Sequence, residues 1–137
     1  MTTTIRRVDY FKVGIANKPG EAARLLDVLK AEGVNLVAFT GFPRGRRAQA
    51  DFIPEDAAAF KEAMKKAGVN VGQKKSVFLI RGDDRVGAMS GVLGKLGKAG
   101  INVTAVDAVT GGKDRFGGIL WVHPRDVARS ARILGAT

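Results

Sequence analysis

The chain has 137 residues, 45% of them hydrophobic and 26% charged, with a mean hydropathy of −0.01, a profile of compact globular material that excludes a disordered tail or a fibre. Its 23 Lys+Arg against 13 Asp+Glu give a net charge of +10, spread along the chain as either a solvated basic surface or a polyanion-binding face. The absence of cysteine excludes disulfides and thiolate metal sites and fits a reducing compartment.

The opening MTTTIRRVDYFKVGIA has no long apolar stretch behind its charges, and no apolar run of about 18 residues follows. A cytoplasmic protein that does not enter a membrane is therefore expected. Tyr10 to Ala16 is a short apolar and β-branched run closed by Asn17-Lys18-Pro19-Gly20, the pattern of a strand ending in a tight turn. From Glu21, the residues Ala22, Leu25, Leu26 and Leu29 recur at helical spacing, and Gly33 stands where a C-terminal glycine cap belongs. Val34 to Phe42 reads as the next strand, Pro43 to Arg46 as a turn, and Ala48 to Ile53 as the returning antiparallel partner. Pro54 is expected to start a second helix with Ala57, Phe60, Met64 and Ala67 on its buried stripe, ended by Gly68. Val69 to Lys74 then supplies a candidate fourth strand.

The remainder repeats this order. Tyr10 to Phe42 lies over Val77 to Val109 without a gap, matching Phe11 with Phe78, Gly20 with Gly87, Gly33 with Gly100 and Asn35 with Asn102. The expected elements are a strand Ser76 to Gly82, a helix Ala88 to Ala99, a strand Ile101 to Thr110, a turn Gly111 to Asp114, a strand Phe116 to Val122 and a helix Pro124 to Leu134. The second hairpin reads as about three residues longer than the first. No segment remains for a last strand, so that edge is expected to be covered by the N-terminal segment or by another chain. The fold class is α+β: two ferredoxin-like β-α-β-β-α(-β) modules in tandem, residues 1–74 and 75–137, each an antiparallel sheet with helices on one face. Trp121 and Phe116 are read as lying near the open edge, in an interface or in the core.

No catalytic constellation emerges. The single histidine, His123, precedes Pro124 at a strand end and suits a structural role, while Asp83-Asp84 suit a turn and helix start. No metal-ligand spacing and no cofactor motif is present, so neither an enzyme nor a metal or cofactor protein is expected. What does stand out is the polar glycine turn after the first strand together with Gly33-Val34-Asn35. The amides of Asn17 and Asn35 are read as converging on one small polar ligand, each offering donor and acceptor to an amino acid, with backbone N–H groups around Gly20 as an anion cradle. The alternative is that both asparagines merely support turns and caps.

The stretch VGIANKPGEAARLLDVLKAEGVNLVAF resembles the signature of ACT domains, ferredoxin-like regulatory modules that bind amino acids, and the resemblance covers nearly the whole chain as a tandem pair. It implies a ligand held between two modules by Asn17, Lys18, Pro19 and Gly20 of one and by Gly33 and Asn35 opening the second strand. In the second copy the corresponding positions are Asp84, Gly87 and Asn102, where a proline is missing and acidic side chains would oppose a carboxylate. It further implies a free amino acid as ligand and a homodimer or larger homo-oligomer; such modules usually regulate an attached domain, so this chain is expected to act in trans on a separate enzyme or to serve as a free-standing amino-acid-responsive protein. The competing reading is a basic ferredoxin-like domain that binds RNA on its sheet, which requires exposed aromatics on the central strands. Arg44-Gly45-Arg46-Arg47 would then contact phosphates.

Overall fold

The computed structural model describes residues 3–137. The chain divides into two compact units, Asp9–Lys75 and a second formed by Thr3–Val8 together with Ser76–Thr137. The division expected after residue 74 thus falls one residue later, and Thr3–Val8 belong with the second unit instead of the first.

In the Asp9–Lys75 unit, β1 (Thr4–Ala16, here from Asp9 on), α1 (Glu21–Ala31), β2 (Leu36–Arg44), β3 (Arg47–Pro54) and α2 (Ala57–Lys66) follow in order. β3 lies antiparallel between β1 and β2, with Phe11 opposite Phe52, Ala16 opposite Arg47, and Leu36 opposite Pro54. Alternation sends Phe11, Val13, Ile15, Ala50 and Phe52 to one face, where Leu25 and Leu29 of α1 and Phe60 and Met64 of α2 cover them. Phe60 stacks on Phe11 at 5.2 Å and tilts against Phe52 at 5.3 Å. Both helices therefore occupy one face, as the apolar spacing predicts.

Three local expectations are corrected. Pro54 ends β3 and does not begin a helix: the Asp56 side chain accepts from the Ala59 N–H and starts α2 at Ala57. Pro43 and Arg44 remain in strand, and the turn is the pair Gly45-Arg46, with Gly45 at φ 62°. Val69 to Lys74 forms no strand; its tie to β1 is a backbone bond from Gly72 N–H to Lys12 O at 3.4 Å.

The other unit contains β4 (Lys75–Asp83, from Ser76 on), α3 (Ala88–Lys98), β5 (Val103–Gly112), β6 (Arg115–Val122), a 3₁₀ turn over Pro124–Asp126, and α4 (Val127–Leu134). His123 Nδ1 accepts from the Arg125 N–H and caps that turn, which displaces the start of the last α-helix from Pro124 to Val127. The second hairpin, Val103–Val122, is one residue longer than the first, Leu36–Pro54, not three, and carries a register shift between Thr110 and Gly112. The strand missing from the repeat is replaced by the N-terminal part of β1, which takes the place beside β4. Ile5 joins Phe78, Ile80, Leu96 and Leu120 in the core, and its carbonyl accepts from the Thr137 N–H. Phe116 is buried in that core and Trp121 is buried on β6, an inner strand, so neither lies at the edge; the edge strand is β5.

Ser130 of α4 is fully buried with no partner for its hydroxyl. An unpaired buried hydroxyl costs stability and alanine is the better helix former. Ser130→Ala should therefore raise the denaturation midpoint, by about 0.5–1 kcal/mol in a urea titration. An unchanged midpoint would mean that water satisfies the hydroxyl.

Candidate functional site

Asn17, Lys18, Pro19 and Gly20 are all exposed at the C-terminal end of β1. Gly20 takes φ 87°, a left-handed conformation open to glycine, and begins α1 without any side-chain cap. The Lys18 N–H donates to Ala16 O and the Glu21 N–H to Lys18 O, which closes the turn. The Glu21 carboxylate meets Lys18 Nζ at 3.9 Å and Arg24 Nη2 at 3.4 Å. The uncapped first turn of α1 and the exposed Asn17 together offer donors of the kind that receive a carboxylate.

Asn35 does not join them. β2 runs parallel to β1 because both are antiparallel to β3, so β1 ends beside the Arg44–Arg47 hairpin whereas β2 begins beside Pro54. The 11 residues of α1 span the unit between those two ends, about 16 Å at the helical rise. Asn35 Nδ2 donates to Glu55 Oε2 at 3.2 Å, and the Glu55 N–H donates to Asn35 O at 2.9 Å. Gly33, at φ 69°, closes the C-terminal end of α1 near Asn35 and far from Gly20. The convergence of Asn17 and Asn35 within one module is thus overturned by strand direction.

The second copy has the same layout. Gly87, at φ 75°, starts α3 without a side-chain cap, and Asn102 is exposed at the other end of the unit, beyond the C-terminus of α3. Asp83 and Asp84 do not start the helix as expected: Asp83 Oδ1 accepts from Arg115 Nη1 at 2.7 Å, and the Asp84 N–H donates to Asp114 O. Ile15 points into the core, and Phe39, 36% exposed, leans on Phe52 at 5.0 Å, so both serve packing.

Two features of the first unit escape a sequence reading. An open cleft of ≈ 690 Å³ lies between α2 and the segment after it, bordered by Asp9, Phe11, Lys61, Lys65 and Lys74. On the sheet face opposite the helices, Arg44 Nη1 donates to Gln49 Oε1 at 2.6 Å and Gln49 Nε2 donates to Asp51 Oδ1 at 2.9 Å, with Gln49 and Asp51 both buried. Lys12 stands directly across from Asp51. Burial pushes the Asp51 carboxyl above the usual aspartate range, against the Gln49 hydrogen bond and the charges of Lys12, Lys75 and Arg44. Burial and then the neighbouring Lys75 hold the Lys12 ammonium below its usual range. Tyr10 is raised by burial and by the Asp51 charge.

A carboxyl raised in the folded state binds its proton more tightly than in the unfolded chain, so its contribution is present below the ordinary aspartate pKa and lost as pH rises through the raised value. Asp51→Asn should remove that loss. In thermal melts from mildly acidic to neutral pH, the variant should gain on the parent protein as pH rises. A gap that widens the other way would show that attraction to the three cations outweighs burial.

Among the described residues, no group of three or more His, Cys, Asp or Glu is arranged to hold a metal ion, and no helix is long and apolar enough to cross a membrane. The aromatic side chains of β1, β3, β4 and β6 are buried, leaving Phe39 and Phe42 of the β2 edge as the exposed rings. Base stacking on central strands therefore has no platform.

No family model matches the chain, and no curated protein matches it in sequence. Solved structures do match in fold. Protein BT0572 from Bacteroides thetaiotaomicron superposes with a TM-score of 0.82 at 19% identity over 96% of this chain and 88% of that one. The regulatory subunit of aspartate kinase from Thermus thermophilus, in its ligand-free form, gives 0.64 at 15% identity over 98% and 95%, and that from Thermus flavus gives 0.63 at 18% over 98% and 94%. The chain therefore has the α+β fold of these regulatory subunits, over nearly their full length.

Proposed function

We propose that this chain is a non-catalytic regulatory protein, built of two ACT-type modules in tandem, that binds a free amino acid and acts in trans on a separate enzyme in the cytoplasm. The observation that carries this reading is the Asn17–Gly20 turn: it is exposed, its glycine is left-handed, and it opens α1 with no side-chain cap. Such a turn leaves first-turn N–H groups for a carboxylate, and the Asn17 amide adds a donor and an acceptor. The fold shared with two regulatory subunits of aspartate kinase supports the regulatory class.

Strand direction constrains how the site is assembled. Asn17 to Gly20 and Gly33 to Asn35 lie at opposite ends of the first unit, so a ligand touched by both groups is touched by Asn35 of a second copy. Asn35 Oδ1 is not used by the bond to Glu55 and accepts the ligand ammonium there. Homodimerisation is then part of ligand binding. The positions Asp84, Gly87 and Asn102 form the equivalent, more acidic set, which disfavours an amino-acid carboxylate.

The test is a thermal-shift screen of the purified protein against the twenty amino acids, since a ligand that binds only the folded state raises Tm by mass action. One amino acid or a related group should give a saturable shift. Asn17→Ala should weaken that ligand about tenfold, the loss expected for one hydrogen bond to a charged group, with Tm unchanged when no ligand is present. Asn35→Ala should weaken it similarly, and sedimentation should show ligand-linked dimerisation. Parental affinity in Asn17→Ala would remove the turn from the site.

A further inference from the structure

The cluster on the sheet face opposite the helices of the Asp9–Lys75 unit has an unbalanced charge. Lys12, Lys75 and Arg44 surround one carboxylate, that of Asp51, and each acts on it electrostatically. The arrangement is fixed by the fold. Lys12 is set opposite Asp51 by strand register, and Arg44 is drawn back from the hairpin by Gln49, whose amide is committed at one end to Arg44 and at the other to Asp51. The Gly72 N–H bond to Lys12 O brings the segment that leads into Lys75 alongside Lys12, and the Lys75 charge helps to lower the Lys12 ammonium, since two ammonium groups are both donors and repel. Lys12 is half-buried while Lys75 and Arg44 are exposed, so the cluster opens to solvent on its cationic side and closes on Asp51 beneath.

We propose that this face is a binding site for a small oxyanion of the phosphate class carrying at least two negative charges, held by Lys12, Lys75 and Arg44, with Asp51 limiting its affinity. Three cations against one carboxylate leave two positive charges without a counter-charge in the cluster, which a dianion balances and a single carboxylate does not. A zwitterionic amino acid is poorly suited, because its ammonium would be placed against two lysines. An oxyanion bridging Lys12 and Lys75 replaces their repulsion with two charge-assisted hydrogen bonds, and the guanidinium donors of Arg44 not used by Gln49 remain for a third. The site is separate from the Asn17–Gly20 turn and does not rest on the amino-acid reading.

Inorganic pyrophosphate titrated calorimetrically into the full chain at low ionic strength is the test. Saturable binding of one pyrophosphate per chain is expected, weakened at least about tenfold in Lys12→Met and in Lys75→Met and tightened in Asp51→Asn. Lys95→Met and Lys98→Met on α3 change the net charge equally and should bind like the parent. Equal weakening in all four lysine variants would mean diffuse attraction to a basic protein and would overturn the site, as would the absence of binding heat. A short single-stranded RNA run in parallel distinguishes the source of phosphate: binding to RNA that depends on Lys12 and Lys75, without binding to pyrophosphate, would overturn the small-ligand assignment. Far-UV circular dichroism melts establish that each variant is folded.

Discussion

Phe60→Ala should cost about 3–5 kcal/mol, the range for truncating a fully buried aromatic, and is the single change expected to do most damage to the Asp9–Lys75 unit. Phe60 is 0% exposed and lies between Phe11 of β1 and Phe52 of β3. It is the only aromatic side chain that α2 contributes, and its loss would leave the Phe11–Phe52 surface without its cover. Set against a typical domain stability of about 5–15 kcal/mol, the cost is a large fraction of what holds the unit folded. The control is Phe42→Ala on the β2 edge: Phe42 is 43% exposed, and its removal should shift the midpoint by no more than about 0.5 kcal/mol. Urea titration followed by near-UV circular dichroism measures both. Equal midpoints for the two variants would show that the ring cluster does not hold α2 on the sheet.

The same ring cluster illustrates which parts of the fold are written locally. α1 and α3 begin where the sequence predicts and end within a residue of it, because Gly20 and Gly87 break the chain on one side, Gly33 and Gly100 on the other, and apolar residues recur at helical spacing between. The start of α2 is less legible because Pro54 suits a strand end as well as a first helical turn; the deciding group is the Asp56 side chain, which accepts from the Ala59 N–H. Val69 to Lys74 offers the first unit a fourth strand, yet its one backbone bond to β1, from Gly72 N–H to Lys12 O, does not make a ladder, and the strand that the second unit lacks is supplied by the N-terminal part of β1.

The candidate site divides in the same way. The turn Asn17–Gly20 is a matter of neighbours in sequence, so its geometry is legible there. Whether Asn35 meets it depends on the relative direction of β1 and β2, which follows only from both pairing antiparallel with β3. Lys12, Gln49 and Asp51 are still less legible: in YFKVGIA and AQADFIP each reads as an ordinary polar position on an alternating strand. Register makes Lys12 and Asp51 neighbours, and burial makes the pair costly.

The second large effect is expected at Gly82, where the role of the N-terminal strand is open to test. Gly82 lies opposite Phe116 in the β4–β6 ladder, and the ring covers the glycine: a Cβ added there would fall 2.7 Å from Phe116 Cε1 and 2.8 Å from the Thr3 hydroxyl. The aromatic-over-glycine pair fills the pleat in place of a side chain. Phe116 is 7% exposed and packed in the core with Ile5, so it has little room to rotate away. Gly82→Val therefore forces the ring into that core or lifts the start of β1 from its place beside β4, at about 1–3 kcal/mol of overpacking. Pairing the change with Phe116→Leu should recover part of the loss, since the two residues share one space and their effects are not additive. Amide exchange distinguishes the two responses: faster exchange confined to the first residues of β1 means that the strand is displaced, whereas faster exchange across β4 and β6 means that the core itself has loosened. Unchanged stability in Gly82→Val would show that the ring does not close over this position, and that the N-terminal strand is held by its pairing with β4, by Ile5 and by the Thr137 backbone bonds without it.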